Sequence, residues 1–185
     1  GCEGKFARCW VWGSQGAEGG ERPGVEHVAI GFADVVASSR LVATAGDLAT
    51  FGSLKLFTAR AEEMRRIHSG QSIQTLGDSF MVLFNDEVGA FAFATEFQRS
   101  LAERPILAGE TPISVRIGIH SGPVLRRPTS HSQNLEGDAI VVAARLTRIA
   151  EPSEIVVARW VRKALPSVNQ LVLGEWQSAP TTHSR

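Results

Sequence analysis

The chain has 185 residues, 43% of them hydrophobic and 21% charged, which suits one globular domain with a real core. Its 19 lysines and arginines are matched by 19 aspartates and glutamates, so the basic excess of a nucleic-acid surface is missing, and no apolar run reaches the length of a membrane span. The only cysteines, Cys2 and Cys9, lie near the start, so the remainder needs neither a disulfide nor a thiolate metal site, as expected in a reducing cytoplasm.

Residues 1–25 are glycine-rich without a sustained period and read as a leader or linker, a loose tail, the lesser alternative being that the rings of Trp10 and Trp12 dock on the domain. Lys5 and Arg8 are followed by no h-region, which argues against a signal peptide. Val28–Ala33 is a short apolar run, a buried strand ended by Asp34. Residues 41–67 predict helix, with Leu48, Phe51, Leu54, Leu56 and Phe57 as the apolar face and Gly46 and Gly52 marking a break or two helices. Ser72–Leu76 and Phe80–Phe84 form a hairpin turning at Gly77-Asp78. Glu87–Ala102 is a helix with Ala90, Ala94, Phe97 and Leu101 on one stripe. Ile113–Ile119 is a strand that ends at His120-Ser121-Gly122, and 123–134 is polar and turn-rich. Asp138–Ile149 is a helix, Ile155–Ala158 a strand after the Pro152-Ser153 turn, and Arg159–Leu165 a short helix. This order predicts an α+β fold, a ferredoxin-like split βαβ sandwich: a mainly antiparallel sheet with helices packed on one face. The domain runs from 26 to 177, and 178–185 is a tail.

Two carboxylates stand out. Asp34 ends a buried strand and Asp78 sits in the hairpin turn, and a split βαβ arrangement makes those two ends neighbours. Such a pair suits Mg²⁺ or Mn²⁺ together with triphosphate oxygens. Aspartate is also common at strand ends and in turns, where it bonds its own backbone. Asp86 and Glu87 are explained by the helix start they occupy. Arg145 follows Ala143-Ala144, small residues that allow close packing, so its side chain leaves that face for solvent, phosphate or a partner. His120 is either an acid–base or metal group or a buried histidine bonded to backbone. His68, His131 and His183 have no obvious partners and no zinc spacing. Walker, G-x-G-x-x-G and G-x-S-x-G signatures are absent, and Arg126-Arg127 is too little for a nucleic-acid patch.

Four segments, in order, resemble the class III adenylyl and guanylyl cyclase homology domain. Phe32-Ala33-Asp34-Val35-Val36 is similar to its first metal-aspartate motif, and Leu76 through Phe84 to the second with its hairpin. Val115-Arg116-Ile117-Gly118-Ile119-His120-Ser121-Gly122 resembles the central strand and following turn. Gly137-Asp138-Ala139-Ile140 through Ala143-Ala144-Arg145-Leu146 resembles the catalytic helix, and Ala150 through Ile155 the segment after it. The resemblance covers roughly 27 to 175. It implies a head-to-tail homodimer with active sites at the interface and no membrane contact by the domain. One chain would supply Asp34, the Val35 backbone and Asp78 to two divalent ions, Mg²⁺ or Mn²⁺, and the other Arg145 and the base-reading residues. The ribose 3′-hydroxyl of a nucleoside triphosphate would then attack the α-phosphate and release pyrophosphate. Arginine suits that phosphate because its planar fork stays charged.

Departures from the family pattern bear on the substrate. The base-reading lysine of adenylyl cyclases falls at Gln74 and its aspartate partner at Asn134. An amide presents donor or acceptor by flipping, so the pair accepts adenine or guanine, and the resemblance leans toward ATP and cyclic AMP. The ribose-orienting asparagine is replaced by Val141. The late lysine that holds the terminal phosphates has no counterpart in Leu173-Gly174-Glu175-Trp176-Gln177-Ser178. The reading is therefore a metal-dependent nucleotidyl cyclase of low activity in signal transduction. Its rival is a degenerate cyclase domain that binds nucleotide or dimerises to regulate a neighbour.

Overall fold

A computed structural model describes residues 7–11, 24–71, 73–128, 133–167 and 176–178. Among the described residues the elements in chain order are β1 (Ala7–Val11), β2 (Val25–Val35), α1 (Ser38–Ala45), α2 (Asp47–Ile67), β3 (Ile73–Leu76), β4 (Ser79–Phe84), α3 (Glu87–Glu103), β5 (Leu107–Ala108), β6 (Thr111–Pro112), β7 (Val115–Pro128), β8 (Gln133–Glu136), α4 (Asp138–Ile149), β9 (Ile155–Ala158), α5 (Arg159–Ala164) and β10 (Trp176–Ser178). The main sheet has the order β10-β1-β9-β7-β2-β4-β3, with β8 paired to β7, and β5 and β6 form a separate small hairpin. β2 is antiparallel to both β4 and β7, so β4 and β7 run parallel with β2 between them, the split crossover closed by α3. A second crossover, β7–α4–β9, joins adjacent parallel strands. The α+β split βαβ architecture read from the sequence is the observed one.

Each strand face has its own reason to be buried. Ala29, Ala33 and Val35 of β2 and Phe80, Val82 and Phe84 of β4 point to the side covered by α2 and α3. There Phe57, Phe80, Phe93 and Phe97 form an aromatic cluster, with Phe57 and Phe80 centroids 4.9 Å apart and Phe93 stacked on Phe97 at 5.7 Å. Burying four such rings supplies much of the apolar stabilisation of the domain. Val28 and Ile30 with Met81 and Leu83 line the opposite face, where they meet Ala139 and Ala143 of α4. Helices thus pack on both faces rather than one. Gly118 is why α4 can sit so low: a Cβ there would stand 2.4 Å from Ala143 O and 2.4 Å from Thr147 N.

Other differences have local causes. The helical region breaks at Gly46, which takes φ +81, and α2 then passes Gly52 unbroken. Its buried stripe is Thr50, Ser53, Phe57, Ala61 and Met64. Leu48, Phe51 and Leu56, expected on the apolar face, are exposed. β7 does not stop at His120-Ser121-Gly122 but runs on to Pro128, because β2 pairs with it as far as Leu125. Pro123 is tolerated there: β9 flanks β7 only along Ile117–Ile119, so a missing N–H beyond it breaks no second ladder. Ala7–Val11, within the segment read as a leader, is a strand parallel to β9 and β10. The side chains of Trp10 and Trp12 and the whole of His131 and His183 lie outside the described residues.

Candidate active site

Local structure brings the two carboxylates to one end of the sheet. β3 and β4 are joined by a two-residue loop, Leu76 pairing with Ser79. Gly77 takes φ +70 at its first position, the arrangement in which glycine carries the turn at no steric cost. That leaves Asp78 at the tip, and its carbonyl accepts a hydrogen bond from Val35 N–H at 3.1 Å. Asp34 pairs in register with Ser79, the residue after Asp78. Asp34, Val35 and Asp78 are therefore contiguous, as the sequence led one to expect. With its N–H already used, Val35 has only its carbonyl oxygen to offer a cation.

Each carboxylate has a different partner. Asp34 Oδ2 accepts two bonds from Arg116, from Nε at 2.9 Å and Nη2 at 2.6 Å. Arg116 stands directly across from Asp34 on β7, and its Nη1 also donates to the Arg148 carbonyl near the C-terminus of α4, at 3.3 Å. Asp78 Oδ2 accepts from the Ser38 hydroxyl at the start of α1. That start is tight: Ala37 is left-handed at φ 53, ψ 42, and no side chain caps the helix. A cleft of about 930 Å³ opens beside the turn, lined by Ser38, Ser39, Phe51, Lys55, Gly77 and Asp78 among others.

The donor chemistry fits a hard divalent cation: two carboxylates and one carbonyl oxygen, on residues joined at one end of the sheet, with Asp78 on the cleft and Asp34 turned to Arg116. Among the described residues no cluster of three or more histidines, cysteines, aspartates or glutamates exists, so substrate oxygens or water would complete the shell, as is usual for Mg²⁺. Arg116 was not among the residues picked from the sequence. The available signal was register: the residue facing a strand-end aspartate across an antiparallel ladder is its natural ion partner.

The remaining candidates are spread around this edge. Asp138, Val141, Arg145 and Arg148 form one exposed stripe on α4, the helix side away from the buried Ala139, Val142, Ala143, Leu146 and Thr147. α4 itself is pinned to the sheet by Thr147 Oγ1, which donates to Phe32 O at 3.0 Å. Gln74 pairs with Met81, which pairs with Phe32. It thus shares the face of Asp34, about 12 Å away by ideal sheet spacings. Asn134 pairs through its backbone with Arg127, and its side chain lies outside the described residues. Next to Arg127, Arg126 donates to Gln71 at 2.8 Å and to Glu26 at 3.0 Å. The far end of β7 is thereby tied to the segment that leads into the Gln74 strand.

His120 is a buried side chain, as one of its two readings had it. Its ring lies edge-on to Trp160, with centroids 4.9 Å apart, and its Nδ1 has no hydrogen-bond partner. Backbone bonding is therefore not what holds it. Burial, with a smaller push from His27, lowers its pKa to about 4, so the ring is neutral near pH 7. His68 Nε2 lies 3.4 Å from Glu96 across the α2–α3 interface but makes no hydrogen bond. A pH effect follows from His120. Above pH 6.5 the ring is neutral in both folded and unfolded chains. Between 6.5 and about 4 only the unfolded chain takes the proton, so stability falls by about 3 kcal/mol over that window and levels off below it. Urea titrations of wild type and His120→Phe across pH 4–7 should show a flatter dependence in the variant; parallel curves would contradict this.

Comparison with known proteins places this edge in context. The family model described as "Adenylate and Guanylate cyclase catalytic domain" matches residues 21–176. The soluble guanylate cyclase subunit beta-2 of Rattus norvegicus is 26% identical over 146 residues, 72% of this chain and 21% of that protein. The chain thus spans about a fifth of the length of that relative. Among solved structures, the dimeric guanylyl cyclase domain of the RhoGC fusion protein from Blastocladiella emersonii superposes with a TM-score of 0.69 at 18% identity, covering 75% of this chain and 83% of that one. The adenylyl cyclase CyaB from P. aeruginosa gives a TM-score of 0.65 at 18% identity over 76% of this chain and 80% of that one.

Proposed function

Because the chain belongs to the adenylate and guanylate cyclase catalytic domain family, we propose that it is a metal-dependent nucleotidyl cyclase of the cytoplasm. It converts a nucleoside triphosphate, ATP by preference, to the 3′,5′-cyclic nucleotide and pyrophosphate. The observation that carries this is the meeting of Asp34 and Asp78 at one sheet edge, bonded through Val35 N–H and the Asp78 carbonyl at 3.1 Å. Mg²⁺ or Mn²⁺ held there would supply the charge that lets an anionic nucleophile approach a triphosphate.

The chain's own residues do the rest. Asp34, the Val35 carbonyl and Asp78 fix the cation-binding oxygens on the rigid end of a two-sided sheet. Arg145, exposed on α4, faces outward and acts on the α-phosphate of a site completed by a second copy. That is why the reading includes a homodimer. Its planar guanidinium donates to two phosphate oxygens at once. Gln74, with Asn134, presents an amide to the base and so discriminates weakly.

The test is an assay of the purified protein with Mn²⁺ and each of the four ribonucleoside triphosphates, products being resolved by chromatography. A cyclic purine nucleotide supports the reading. Binding without turnover would support the second reading, a regulatory module, which the apolar Val141 favours.

Val141 separates the two. It is 48% exposed and lies one turn before Arg145 on the same stripe. An asparagine there buries no unpaired amide, and valine and asparagine have similar helix propensity. Val141→Asn should therefore leave the melting temperature nearly unchanged. It should raise turnover about 10–100-fold, a part of the ~10²–10³ that one preorganised donor contributes. A stable variant with unchanged turnover would show that the position does not orient the ribose.

A further inference from the structure

We propose that Arg116 is a built-in counter-cation that occupies Asp34 while no metal is bound, and that a divalent ion must displace it, so that this side chain sets the metal affinity of the site. The inference rests on the metal-binding reading above. Both hydrogen bonds from the guanidinium converge on one oxygen, Asp34 Oδ2, at 2.9 and 2.6 Å. The two side chains are only 27% and 20% exposed, so water screens the pair less than it would an open surface pair. The third contact, to the Arg148 carbonyl at 3.3 Å, holds the guanidinium from the other side, where the negative end of α4 favours a cation.

Asp34 Oδ2, with two N–H donors on it, is closed to a metal while the guanidinium stays, so an ion that would take both carboxylate oxygens would have to displace Arg116. Asp78 is held differently. Its partner is the neutral Ser38 hydroxyl, which rotates aside at little cost. The two carboxylates are therefore unequal: Asp34 is guarded by a guanidinium fork, Asp78 by a hydroxyl. Arg116 halves the net charge of the pair, from −2 to −1, and adds direct repulsion toward an arriving dication. Once displaced, the guanidinium keeps its contact with the end of α4, the helix that carries Arg145. Metal occupancy at Asp34 is thereby linked to the setting of that helix.

The experiment measures Mn²⁺ binding to the nucleotide-free protein by calorimetry and by the loss of free-ion electron paramagnetic resonance signal. Wild type, Arg116→Gln, Arg116→Lys, Ser38→Ala, Asp34→Asn and Asp78→Asn are compared, with folding checked by circular dichroism. Arg116→Gln should bind Mn²⁺ at least about tenfold more tightly than wild type. Arg116→Lys, which keeps the charge but cannot donate as a fork, should fall between them. Ser38→Ala should change affinity by less than Arg116→Gln does. Equal or weaker binding by Arg116→Gln, with binding abolished in Asp34→Asn, would overturn the proposal and leave the metal reading standing. Undiminished binding in both Asp34→Asn and Asp78→Asn would overturn the metal reading and the proposal with it. Should Arg116→Gln not fold, Arg116→Lys decides alone: affinity no tighter than wild type counts against the proposal.

Discussion

Asp34→Ala and Arg145→Ala proteins, each expected to lose about 10²–10³-fold in cyclase rate, should recover activity when mixed. Asp34 belongs to the sheet edge of one copy, and Arg145 points off the outer side of α4, where a second copy would meet it. In a symmetric dimer each mutation, present twice, damages both sites. In a heterodimer both lesions fall in the same site, and the other site keeps an intact Asp34 and an intact Arg145. Random mixing makes half the dimers heterodimers with one of two sites intact, so roughly a quarter of wild-type activity should return. If heterodimers are verified by tagged co-purification and the mixture stays as inactive as its components, the site is not shared between chains. Recovery would also establish that both single variants fold, since neither could otherwise contribute to the dimer.

The second large effect is expected at a residue with no side chain. Gly118→Ala would put a methyl 2.4 Å from Ala143 O, 2.4 Å from Thr147 N and 2.6 Å from Thr147 Oγ1. Two of those neighbours are helix backbone, so a rotamer change cannot relieve the clash, and α4 has to lift as a unit. Overpacking typically costs 1–3 kcal/mol, and the upper end of that range lowers the melting temperature by roughly 6–12 °C in a chain of this size. Activity should fall further than stability, because α4 carries Arg145 and the Arg148 carbonyl that holds Arg116. Gly52→Ala is the matched control. It lies within α2 with nothing within 4 Å of the added methyl, so the same substitution should stabilise by up to about 1 kcal/mol. Melting curves showing the two variants alike would refute this account of how α4 is seated.

Much of the candidate site is legible in the sequence. The Gly77-Asp78 turn, with apolar strands on both sides, announces its own geometry, because a two-residue loop with glycine at the positive-φ position has few alternatives. Asp86 was assigned to the start of a helix, and it caps α3, accepting from Gly89 N–H at 2.7 Å. The helix read over Asp138–Ile149 has those bounds in the structure. These are short-range matters, settled by neighbours within a few residues.

Where the sequence misled, a distant partner decided. The His120-Ser121-Gly122 turn signal lost to β2, whose ladder carries β7 straight through it. The apolar residues Leu48, Phe51 and Leu56 are exposed because the sheet meets α2 along Thr50, Ser53 and Phe57 instead. Hydrophobicity alone does not say which stripe a neighbouring layer will cover.

The sequence by itself determined the order of the main strands and helices between Val28 and Leu165, the split βαβ plan and the two candidate aspartates, because turn chemistry, apolar periodicity and motif order are local properties of the chain; it did not give β1, β5, β6, β8 or β10. Only the tertiary structure decided that α4 covers the second face of the sheet, that Val141 is exposed beside Arg145, and that Arg116 holds Asp34. Each of these depends on strand register, which brings together residues 82 positions apart, and register is set by how whole faces pack rather than by any short run of residues.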